Sequence, residues 1–212
     1  MTTDELTALL ARGGGMPQDA PARRHATAVA SGAFTSAVLM ALTLGVRADI
    51  SQAALLPMFW LKLAFPGALA AACLVAVMRL SRPGAPLAAV PVLLALPVIA
   101  VWLVAAAALA QSEPALRPAM VFAPTWQSCP LLIAAFSVPP LIAALWALNG
   151  LAPTHLALAG GAAGLLAGTL GALAYALHCP EMAVPFAALW YPLGMLIPAA
   201  AGALLGTALL RW

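Results

Sequence analysis

Six stretches of almost unbroken apolar sequence bound what this chain can fold into. Residues 26–46, 58–78, 87–110, 125–148, 155–177 and 184–210 contain no Asp or Glu, and Lys62 is the only Lys or Arg among them. Each runs for about 21 to 27 residues, which at 1.5 Å per residue crosses a hydrocarbon layer of about 30 Å. A bilayer offers no water to unpaired backbone groups, so helices follow; a strand barrel would alternate apolar and polar residues in segments of about ten. The remaining composition agrees. Of the 212 residues, 65% are hydrophobic and 7% charged, and mean hydropathy is +1.04, whereas about a quarter of a soluble domain is charged. The expected fold is all-α: a polytopic membrane protein with a bundle of six transmembrane helices. Residues 1–25 form a cytoplasmic segment and linker, and residues 26–212 the membrane domain. The first span lacks the small-residue cleavage site of a signal peptide.

Lys and Arg set the orientation. With the N-terminus inside, Arg12, Arg23, Arg24, Arg79, Arg82 and Arg211 lie on the cytoplasmic side, against Arg47 and Arg117 outside, so both termini are expected in the cytoplasm. Lys62 sits near the outer end of its span, where it can snorkel or place its cation beside a thiol. The net charge of +3 is scattered between spans and makes no basic face for nucleic acid. Ion-coupled transport needs ionisable groups near the midplane, and the spans supply almost none. Gly160, Gly164 and Gly168, with Gly202 and Gly206 in the last span, are spaced for close helix packing, either inside the bundle or between copies.

Two regions carry chemistry. At the N-terminus, Thr2 and Glu5 have capping-box spacing, Asp4 and Glu5 suit a first turn, and Leu6, Leu9 and Leu10 fall on one helical face. So short a helix is marginal alone in water, which suits a segment that orders when its leucines enter a partner's groove. The other region holds thiols. Cys129 opens the inward-running fourth span and Cys179 follows the outward-running fifth, so both arrive near the external face, with His178, Glu181, Met182 and Trp126 close by in sequence. Two thiols there can pair as a disulfide or bind a soft metal ion with His178 as a third ligand. No certain cofactor follows. Cys73, deep in the second span, reads as a small buried hydrophobe. No nucleophile with base and orienter, phosphate loop or carboxylate pair is present, so no enzyme is expected.

The segments Met58-Phe59-Trp60-Leu61-Lys62-Leu63-Ala64-Phe65-Pro66, Thr125-Trp126-Gln127-Ser128-Cys129, Ala152-Pro153-Thr154, His178-Cys179-Pro180-Glu181 and Leu189-Trp190-Tyr191 with Gly194-Met195 together resemble the six-span membrane anti-sigma factors typified by the negative regulator of sigma F. The resemblance covers essentially the whole chain. It implies a bacterial inner-membrane protein whose N-terminal segment holds an extracytoplasmic-function sigma factor inactive. It also implies that two cysteines take part in sensing stress, and these match Cys129 and Cys179. The alternatives are a small metal or solute transporter with Cys129, Cys179 and His178 at its mouth, and a membrane thiol-redox protein. Oligomeric state is left open.

Overall fold

A computed structural model describes Thr2, Glu5, Thr7 and residues 20–211 apart from 83, 150 and 152. The described residues are helical, without strands. They form α1 (Ala20–Thr43), α2 (Ile50–Ala53), α3 (Pro57–Leu80), α4 (Val90–Gln111), α5 (Arg117–Val121), α6 (Ser128–Phe136), α7 (Val138–Asn149), α8 (Leu156–Ala176) and α9 (Val184–Leu209). Five are long and apolar enough to cross a membrane, and the bent pair α6–α7 makes a sixth crossing when taken as one span. The short α2 and α5, absent from the sequence reading, lie between spans. Helix α1 starts at Ala20, ahead of the boundary expected at residue 26.

The fourth span departs from a straight helix, and proline chemistry explains why. Helices α6 and α7 bend by 41° at Ser137. Pro139 and Pro140 carry no N–H, so the carbonyls four residues earlier lose their helical donors. Ser36 Oγ on α1 donates to Phe136 O at 2.8 Å, and Ser137 Oγ donates to Ile133 O at 2.6 Å. A polar group from a neighbouring helix thus takes over the bond the proline removed, as apolar surroundings require. The kink is packed on both sides: a Cβ at Gly32 would fall 2.7 Å from Pro140 Cα, and one at Gly171 2.5 Å from Ser137 Oγ.

Helices α8 and α9 are the closest pair. Gly160 lies against the backbone of Gly202 and Gly206, Gly164 against Pro198 and Ala199, and Gly168 against Met195. The glycine spacing therefore serves packing within the bundle. Side-chain bonds tie the helices at both ends. Where α1 begins, Arg24 Nη2 donates to Trp146 O at 2.7 Å, with its guanidinium 4.5 Å from the Trp146 ring centroid. There Ser81 Oγ gives its proton to Val77 O, which leaves His25 Nε2 to donate to Ser81 Oγ across 3.1 Å. At the opposite end the α8–α9 connection is bound to α1 and α3.

Candidate functional site

Cys129 is the second residue of α6, and Cys179 lies three residues past the end of α8. Their backbones are anchored locally: Cys129 N donates to Thr125 O at 2.9 Å, and Cys179 N to Tyr175 O at 3.0 Å. Both thiols are free and fully buried. They lie close enough to interact with each other, and the Tyr175 hydroxyl lies within reach of both. Tyr191 comes from α9. Its ring is 6.3 Å from that of Tyr175, and its hydroxyl approaches Cys179 yet is buried without a hydrogen-bond partner. These are the chain's two tyrosines, and both belong to the thiol cluster. The sequence reading missed them, although their scarcity and the placing of Tyr175 one turn before Cys179 were signals.

The connection carrying Cys179 is held at nearly every residue. Gly45, at φ 75, turns the chain out of α1 in the left-handed conformation glycine tolerates. This brings Arg47 N to Leu177 O at 3.2 Å and Gly45 O to His178 Nδ1 at 2.9 Å. A carbonyl only accepts, so His178 carries its proton on Nδ1. Thr125 Oγ1 donates to Glu181 Oε1 at 3.3 Å. Trp126 stacks near Trp190, ring centroids 5.0 Å apart, and Trp190 Nε1 donates to Val121 O at 2.8 Å.

Lys62 is the centre of this arrangement, and it does not snorkel. Only 5% exposed, it donates from Nζ to Cys179 O at 2.7 Å and to Glu181 O at 2.8 Å, with the ammonium 5.9 Å from the Tyr191 ring centroid. Its cation thus reaches the thiol region through the main chain: it clamps the carbonyls on either side of Pro180. Arg47 adds a longer bond, Nη1 to Cys179 O at 3.4 Å. Bidentate bonds at 2.7 Å from Nε and Nη2 to Asp49 orient that guanidinium. This pairing holds the Asp49 carboxyl below its usual range and raises Arg47.

Among the described residues no three His, Cys, Asp or Glu side chains come together as a metal-binding group, and His178 spends its Nδ1 proton on Gly45 O, holding the connection to the end of α1. Cys73 is fully buried within α3, packed in the core. At the N-terminus, Thr2 N donates to Glu5 Oε2 at 2.9 Å and Glu5 N to Thr2 Oγ1 at 3.4 Å, the reciprocal pair of a capping box. Asp4, Leu6, Leu9 and Leu10 lie outside the described residues.

Comparison with known proteins adds a family. Residues 10–212 match the model described as negative regulator of sigma F. Over the full length of both chains, the sequence is 51% identical to the probable anti-sigma-F factor of Azospira oryzae. It is 40% identical, again over the whole of both chains, to the anti-sigma-F factor of Caulobacter vibrioides. No solved structure matches.

Proposed function

The chain belongs to the negative-regulator-of-sigma-F family, and from that premise we propose that it is a membrane-embedded anti-sigma factor gated by its buried thiol pair. Its partner is a sigma factor of the extracytoplasmic-function class, captured by the segment 1–25 through Leu6, Leu9 and Leu10, with Asp4 and Glu5 opening the helix. The membrane is the bacterial inner membrane, both termini face the cytoplasm, and Cys129 and Cys179 face outward. The observation that carries the sensing is the enclosure of two free thiols by Tyr175, Tyr191 and the Lys62 clamp.

A thiol in a filled cavity is a two-state device. Bridging the sulfurs by an oxidant, or joining them through a soft metal ion, changes their separation and charge inside a cluster with no room to spare. The strain falls on the α8–α9 connection and on α6. Helices α8 and α9 touch backbone to backbone, so they shift as a rigid pair, and bundles answer such shifts by switching between discrete packings. At the other face the Arg24–Trp146 and His25–Ser81 contacts lead into the sigma-binding segment.

The test is a sigma-dependent reporter under oxidant and heavy-metal challenge with Cys129→Ser, Cys179→Ser and the double variant, at matched protein levels. Each substitution is expected to lock the output, and a response undiminished in the double variant rejects the sensor. Replacing Leu6 and Leu9 by Asp separates the second half of the reading: the sigma factor should no longer co-purify while the protein still inserts.

A further inference from the structure

Two apolar clefts of about 420 and 460 Å³ run between α4 and the α8–α9 pair. The first lies where α3 ends and α4 begins, and its floor is made by small residues such as Gly161 and Ala203. The second continues it, sharing Pro91, Leu94 and Leu165, and ends at Trp102. There the Trp102 Nε1 donates to Ala188 O at 2.9 Å, joining α4 to α9 and closing the groove. From Val90 to Trp102 the groove is about 18 Å long at 1.5 Å per residue, close to half of a hydrocarbon core of about 30 Å. A partner helix would need the full thickness, whereas an acyl chain needs one leaflet. The rim is open to the membrane, with Leu158 59% exposed.

The open end of the groove is basic. Arg79 Nη1 donates to Pro86 O at 2.9 Å, which pins the guanidinium beside the mouth residue Leu87, and Arg82 is exposed three residues on. Neither has a carboxylate partner among the described residues, where the ion pair formed is Arg47 with Asp49. Cations at the interface over a one-leaflet apolar slot match an amphiphile with a negative head. We propose that this groove is a binding site for one anionic phospholipid, with an acyl chain between α4 and α8 and its phosphate at Arg79 and Arg82.

The full-length protein, purified in mild detergent and stripped of lipid, is titrated with phosphatidylglycerol or phosphatidylcholine and read by native mass spectrometry. One phosphatidylglycerol should be retained per chain, with roughly tenfold preference over phosphatidylcholine. Arg79→Gln with Arg82→Gln should erase that preference, and Arg82→Gln alone, at an exposed position, should reduce it. Filling the slot by Leu158→Trp, or independently by Gly161→Leu, should weaken both lipids; a first carbon at Gly161 meets Ala203 Cβ at an ordinary 3.5 Å. Absence of retained lipid, equal binding of both lipids unaffected by the arginine variants, or a dimer cross-linked through Leu158→Cys in place of lipid would overturn the site.

Discussion

Helices α4 and α8 are both apolar spans, yet they do opposite work. Helix α4 has the higher mean hydropathy, but only 11% of an 18-residue apolar stretch of it is buried inside the bundle, against 56% of the corresponding stretch of α8. In water the more apolar helix would be the buried one. In a bilayer the lipid tails are as apolar as leucine, so burial follows side-chain size: the glycines of α8 let it reach the α9 backbone, while the bulky face of α4 stays with lipid and leaves a groove. The thiol site is built on the tight pair, where geometry is held, and the lipid groove on the loose one.

The comparison breaks first at Gly164. Its substitution by Leu would drive a Cβ onto Pro198 O, with Ala199 Cα 2.8 Å away, and should cost about 3 kcal/mol or more. Leu96→Ala on α4, 65% exposed, should stay within about 0.5 kcal/mol. Unfolding in mixed micelles measures both, and equal losses would remove the distinction.

A smaller effect is expected at the clamp. Lys62→Met leaves Glu181 O without its donor and Cys179 O with only the longer Arg47 bond, at about 1–3 kcal/mol. A cation that merely favoured thiolate would predict slower labelling once removed. Because both thiols are fully buried, access limits the reaction instead, so freeing the connection should speed maleimide labelling of Cys179 roughly tenfold. Slower labelling would return the lysine to a purely electrostatic role.

Tyr191→Phe should be neutral or stabilising by up to about 1 kcal/mol, because it removes a buried hydroxyl that has no partner. The same change should blunt the reporter response, since that O–H is the donor free to meet an anionic or metal-bound sulfur. A clear loss of stability would show that the hydroxyl is bonded after all.

The smallest effect belongs to Asp49→Asn, which loosens the Arg47 pair on its solvent-facing side, where Asp49 is exposed. With its folded-state value depressed, Asp49 contributes above its ordinary carboxylate range, and that contribution fades as pH falls through the depressed value. Thiol labelling should therefore be insensitive to this pair's titration from pH 6 to 8.

Much of this was legible in residue order, for definite reasons. Uninterrupted apolar length dictates spanning helices wherever they pack, and glycine spacing announces a close helix contact, realised here between α8 and α9. The bend at Ser137 follows from the neighbouring Pro139 and Pro140. That Ser36 would take over the stranded carbonyl of Phe136 was not legible, because the two residues are 100 positions apart.

The capping box at Thr2 and Glu5, the spans and the candidate thiols Cys129 and Cys179 are properties of short stretches, and the sequence by itself determined them. Tertiary structure alone decided that both tyrosines meet the thiols, that Lys62 spends its protons on the carbonyls of Cys179 and Glu181, and that α4 stands away from α8. These are relations between helices, and the Lys62 bond to Cys179 O spans 117 positions of sequence. In a bilayer hydrophobicity does not rank such contacts; backbone shape and the few polar groups that must find partners do.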